Sequence, residues 1–252
     1  MALSWSTRRQ LLYYGVAFFI GGILLIAGWQ AFFTTAATCS DGLKNGRELG
    51  VDCGGSCTLL CQGQARSPVV LWARAFKTDT SLYTAAAYIE NPNTALGAGA
   101  RSVQYVFRLR DEKNILVAKR EGVIDIPPTT LIPVVEHNID VGNRDVFRAD
   151  FEFLEVPTWK KVLVPALPPR LSNQELAQDG SRLSATLTNN SLESVNQVSV
   201  VAVLFDSQGV ARAASKSTVN TIPKKSSRPI VFTWPAGIPD VVRAEITVLP
   251  PF

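Results

Sequence analysis

The strongest pattern in the chain is the run 11–33, LLYYGVAFFIGGILLIAGWQAFF, in which Gln30 is the only strongly polar residue. About 20 apolar residues rising 1.5 Å each cross a hydrocarbon core of roughly 30 Å, so this run predicts a transmembrane helix. Beyond it the period changes. Val103, Tyr105, Phe107 and Leu109 alternate with Gln104, Val106, Arg108 and Arg110, and a period of two predicts a strand with one buried face. Residues 111–114 (DEKN) read as a turn, and 115–119 as the returning strand. Residues 198–205 are nearly all apolar, which predicts a strand covered on both faces, with the turn DSQG at 206–209. Residues 69–76 predict the first strand of the exterior. Prolines 127, 128, 133, 223 and 229 are expected in connections, because proline cannot sit in a central strand. One short turn of helix is expected at 172–178, with Ser172 as its cap.

These strands form two copies of one pattern. YIENPN at 88–93 matches ATLTNNS at 185–191. Asp111 and Asp206 stand 95 residues apart, as do Arg148 and Arg243; Pro127 and Pro223 stand 96 apart, as do Pro133 and Pro229. Near-constant offsets argue for a duplicated module. Short strands with regular turn signals predict a β-sandwich for each copy. The strings FRLRD (107–111) and AVLFD (202–206) resemble the FxLYD type of bacterial Ig-like module, with Arg110 where that family has Tyr and Ala202 where it has Phe. The resemblance implies two seven-stranded sandwiches, at 67–163 and 171–252, and transfers no catalytic residue. The Pro-rich stretch 164–170 reads as a stiff linker that holds the two in tandem without collapse onto each other. The expected fold class is therefore all-β: two tandem Ig-like antiparallel sandwiches behind one N-terminal transmembrane helix and a small disulfide-rich segment.

All four cysteines, Cys39, Cys53, Cys57 and Cys61, fall in one window at 39–61. An even count in a short Gly-rich stretch reads as two disulfides replacing a core too small to form, with three pairings open. The spacing lacks the paired C-x2-C knuckles of a structural zinc site. Asp41, Asn45, Glu48 and Asp52 recur every three or four residues among glycines. They read either as oxygen ligands for a calcium ion or as turn residues bonding neighbouring amides. The window resembles the DG..NG.E...DCGG.C..C segments of bacterial cell-surface and secreted proteins, a likeness that speaks to location.

Charge sets the orientation. Arg8 and Arg9 precede the apolar run, and no Lys or Arg follows it until Lys44. That asymmetry predicts a cytoplasmic stub at 1–10, a transmembrane helix at 11–33 and an extracytoplasmic remainder, with the lipid bilayer as first partner. Thr35 and Ala37 leave a cleaved signal peptide as the rival reading. Lys and Arg total 25 against 21 Asp and Glu. The excess lies partly in the N-terminal arginines, so the sequence shows no concentrated basic patch and predicts no nucleic-acid binding.

Candidate catalytic chemistry is thin. The single histidine, His137, lacks a nucleophile motif beside it and is expected in an exposed loop. Asn189-Asn190-Ser191 is a glycosylation sequon of no expected use. The sequence thus predicts a non-enzyme: a single-pass envelope protein displaying two Ig-like modules for binding or scaffolding, its partner another envelope protein or a cell-wall glycan. The alternative is a subunit of an envelope assembly or secretion complex that packs through its transmembrane helix.

Overall fold

The computed structural model describes residues 5–33, 38–163 and 167–249. The chain forms two compact units that divide after Cys57. The first contains a single helix, α1 (Trp5–Phe33). It starts before the apolar run, so residues 5–10 of the expected stub are helical, and the Arg9 guanidinium lies 4.3 Å over the Trp5 ring. The helix is long and apolar enough to cross a membrane, and none of its most apolar window is buried. A soluble core helix would bury one face. Thr35 and Ala37, on which the rival signal-peptide reading rests, lie outside the described residues.

The second unit is antiparallel β structure. Strands β1 (Val69–Lys77), β2 (Leu82–Glu90) and β5 (Leu131–Asp140) form one sheet. Strands β3 (Ala98–Arg110), β4 (Leu116–Ile126) and β6 (Arg148–Phe153) form another, with the short β7 (Trp159–Lys161) added to β3. Alternate residues of both sheets meet in one core: Ala85, Ala87 and Ile89 from β2, Ile132 and Val134 from β5, and Val103, Tyr105, Phe107 and Leu109 from β3. The ring of Phe107 meets that of Phe151 edge to face at 5.0 Å. Residues 58–61 continue this unit, Leu60 donating its amide to Trp159 and Lys161 donating back to Thr58.

The pattern repeats downstream. Strands β8 (Arg170–Leu176), β9 (Arg182–Asn189) and β12 (Ser226–Thr233) form a third sheet; β10 (Val195–Asp206), β11 (Ala211–Ile222) and β13 (Val241–Leu249) form a fourth. Val198, Val200, Ala202 and Leu204 enter the second core at the places held by Val103, Tyr105, Phe107 and Leu109 in the first.

The duplicated landmarks make duplicated bonds. Asp111 Oδ1 accepts from the amides of Lys113 and Ile115, and Asp206 Oδ1 accepts from those of Gln208 and Val210. Each carboxylate thereby closes a hairpin turn whose fourth residue, Asn114 or Gly209, has positive φ. Asn91 and Asn189 are both buried. Asn91 donates to the carbonyls of Ala98 and Pro127, and Asn189 to those of Glu193, Ile222 and Pro223. Each side-chain oxygen takes the amide two residues on. Asn189 is thus a structural pin, and its nitrogen is closed to glycosylation in the folded chain.

Three expectations are corrected. Residues 172–176 are strand within β8, because pairing with β9 offers ladder bonds that an isolated helical turn lacks. Pro133 lies inside β5 and Pro229 inside β12, both outermost strands, where a missing amide leaves no ladder bond unmade. The two repeats do not stand apart. Residues of the β1–β2–β5 sheet and of the β11–β10–β13 sheet share a third buried cluster. Of the expected linker, residues 164–166 lie outside the described residues, and Arg170 already opens β8.

Candidate functional site at the junction of the two repeats

The cysteine loop comes first, because the sequence singled it out. Cys39 and Cys57 form a disulfide with Cα atoms 5.7 Å apart; Cys53 and Cys61 are disulfide-bonded as well, and none of the four is free. Three of the four calcium candidates, Asp41, Glu48 and Asp52, act as acceptors for the loop's own donors, and the fourth, Asn45, is one of those donors. Asp52 takes the amides of Asp41 and Gly42 at 2.9 Å each. Asp41 takes the Leu43 amide and the Asn45 side-chain nitrogen, both at 2.9 Å. Glu48 Oε2 takes the amides of Asn45 and Asp52 at 3.3 Å. Its Oε1 lies 3.3 Å from Cys57 Sγ, a contact without a proton since that sulfur is in a disulfide. The Asn45 bond, then the Leu43 amide, holds the Asp41 carboxyl below the usual carboxylate range. These bonds are the ones the turn-bonding alternative calls for, and within the described part of this loop Asn45 Oδ1 is the buried acceptor left without a donor. The backbone there is so tight that a Cβ on Gly55 would overlap the Arg47 carbonyl oxygen.

The larger feature lies between the repeats. Ala86 and Tyr88 of β2 and Val135 of β5 pack against Val201, Val203, Phe205, Ala211 and Ala214, all buried. Period two explains the arrangement. On β10, Val200, Ala202 and Leu204 fill the second core, while Val201, Val203 and Phe205 cover the first repeat. Trp72 stacks on Tyr88 at 4.9 Å between centroids. The Tyr88 hydroxyl donates to Glu245 at 3.4 Å, and burial with that nearby carboxylate pushes its pKa up to about 12. Arg243, paired with Glu245, lies 4.4 Å over the Phe205 ring.

His137 is not in an exposed loop. It sits half-buried on β5 and bridges the repeats. Its Nε2 accepts the Lys216 amide of β11 at 3.0 Å, so that nitrogen carries no proton. Nδ1 therefore holds the proton and faces the Thr84 hydroxyl at 3.2 Å. Burial lowers the His137 pKa from its usual 6.5; the Lys216 charge acts the same way and Glu136 opposes. A cleft of about 450 Å³ beside the ring also brings Lys77 and Arg212 near it. The unfolded chain takes up a proton below about pH 6.5 that the folded ring resists, so this contribution to stability is present above that pH and lost as pH falls. Protonation would also set an N–H against the Lys216 N–H. Thermal unfolding between pH 7 and pH 5 is expected to weaken with acid in the native chain and to do so less in His137→Gln. Equal slopes would remove the histidine from the junction's pH response.

Along the junction runs a groove of about 600 Å³, sharing Phe76, Arg212 and Ile238 with that cleft. Trp72, Arg74 and Phe76 of β1 line it, with Phe147, Arg148 and Arg212, and no Asp or Glu does. Arg148 lies 3.5 Å from Asp150, which Arg110 also holds at 2.8 Å. Among the described residues, Arg74 and Arg212 have no carboxylate partner. The sequence reading missed this cluster because its arginines come from β1, β6 and β11, far apart in the chain. Only the apolar run of β10, with both faces needing cover, hinted at a junction.

The Tyr105 hydroxyl donates to Glu136 at 2.6 Å, and Arg120 donates to the other Glu136 oxygen at 3.1 Å. Gly122 stands opposite Tyr105 in the ladder, and a Cβ there would strike the phenol. This network is closed on itself. The protein is thus a mostly β chain with disulfides and one apolar N-terminal helix. No family model matches the chain, and no curated protein matches it in sequence.

Proposed function

We propose that the protein is a single-pass membrane protein that presents two Ig-like sandwiches outside the cytoplasmic membrane as a non-enzymatic binding or scaffolding module. Its N-terminus is cytoplasmic in this reading, and its partner is another component of the cell envelope. The observation that carries the reading is the conjunction of an unburied apolar helix with cysteines that are all disulfide-bonded. Disulfides persist in oxidising compartments, and arginines ahead of the apolar run orient it with that end inside. Two cores built on one strand pattern, each with its buried Asn pin and its Asp-closed hairpin, support two modules of the Ig-like type. The buried cluster shared by the two repeats supports their acting as one display unit.

A reporter at the C-terminus tests the topology. Alkaline phosphatase fused there is expected to be active, and a cytosol-dependent fluorescent protein dark. The opposite pattern would overturn the orientation, and recovery of the whole chain in the soluble fraction would overturn the anchor.

A further inference from the structure

We infer that the junction groove is a docking site for an extended acidic peptide, one alternating carboxylate and apolar side chains, that adds to the free edge of β1. The inference rests on the reading of the protein as a binding module, and deepens it by naming the class of ligand and the strand that receives it.

Two observations meet in this groove. The first is backbone chemistry. β1 is the outermost strand of its sheet and β6 the outermost strand of the other sheet in the same repeat. Five successive residues of β1, 72–76, line the groove on one side, and 147–149 at the start of β6 line it on another. Among the described residues, β1 makes ladder bonds only to β2. Its other row of amides and carbonyls has no ladder partner, although β6 of the facing sheet lies close to β1, so a guest strand would enter along the groove between them.

The second is charge and shape. Trp72, Arg74 and Phe76 stand on the face of β1 that looks toward the second repeat, where Arg212 and Arg148 converge on the same space. Three guanidiniums with no acid among the lining residues favour an anionic guest, and the planar fork of arginine matches a carboxylate with two parallel bonds. On the opposite face of β1, Ala73 and Ala75 pack against the first core, as Ala149 on β6 does, and all three also line the groove, where a guest's apolar side chains would meet them. Phe147, at 71% exposure, supplies an uncovered ring at the rim. A peptide strand presents side chains to both faces alternately. Carboxylates at every second position would reach the arginines while the residues between them cover the alanines. A phosphodiester polymer would satisfy the arginines but leave the β1 amides unmatched.

The full-length protein in detergent micelles, titrated calorimetrically at low salt with a capped peptide of alternating glutamate and valine, tests this. One peptide is expected to bind per chain. Arg74→Glu and Arg212→Glu are each expected to weaken binding about tenfold or more without altering the unfolding temperature, since both are exposed and neither has a carboxylate partner among the described residues. The same peptide N-methylated at alternate amides is expected not to bind. No binding of the unmodified peptide, equal binding to the charge-reversed variants, or equal binding of the N-methylated peptide would each overturn the proposal. Tight binding of inorganic polyphosphate with no discrimination between the two peptides would assign the groove to a simple polyanion and overturn strand addition. None of these results bears on the reporter fusion, so failure of the groove and failure of the membrane topology are told apart.

Discussion

Replacing Val203 by aspartate is expected to part the two repeats while leaving each core folded. Val203 is fully buried, yet it faces away from the second core; its neighbours Ala202 and Leu204 fill that core instead. An unpaired carboxylate held against Ala86, Tyr88 and Val135 loses its hydration and meets no donor, a cost of about 3–5 kcal/mol or a forced protonation. Separation relieves the cost by opening the junction to water, and the ladders of β10 with β11 and β13 remain intact. Hydroxyl-radical footprinting of the full chain is the measurement. Tyr88, Val135 and Phe205 should gain reactivity, while Phe107, Leu183 and Phe232 stay protected. Loss of protection at all six would show that the repeats fold only together. No change at any would show that the junction is not the contact described.

Phe107→Ala and Ala202→Phe form a reciprocal pair with the second large effect. The two residues hold the same place in their repeats, both fully buried on the strand that precedes the Asp-closed turn. The first core has built around a ring there, with Tyr105 at 5.8 Å and Phe151 at 5.0 Å edge to face. Removing it leaves a cavity and is expected to cost about 3–5 kcal/mol, a large share of the 5–15 kcal/mol that holds a typical domain folded. The second core has a methyl there and takes its rings from elsewhere, Phe232 on β12 and Trp234 just after it, 6.5 Å apart. A ring at 202 has no room and is expected to cost about 1–3 kcal/mol or more. Urea unfolding should show a lowered midpoint for both with little change in slope. A neutral Ala202→Phe would mean the second core holds space its buried residues do not reveal.

These cases show how far the sequence reached. Spacing along the chain was enough to pair Asp111 with Asp206 and to place Asn91 and Asn189 in matching turns, because a side chain that bonds an amide two residues away acts locally. It failed at Pro133, Pro229, Ser172 and His137. Each of those depends on which strand lies beside it, and neighbours are set by tertiary pairing rather than by local preference. The linker prolines suggested separation, while the nearly all-apolar run at 198–205 called for cover on both faces. The run was the better guide, since buried apolar area is a stronger force than the stiffness of a linker.

The amino-acid sequence by itself determined the apolar helix, the closely spaced cysteines and the duplicated strand–turn pattern. All three are contiguous or periodic, and short-range sterics and burial act on neighbours in the chain. Only the tertiary structure decided that the repeats fuse face to face, that His137 clamps them, and that Arg74, Arg148 and Arg212 share one groove. Those residues meet through strand order and sheet packing, which bring distant positions together and leave no trace in local spacing.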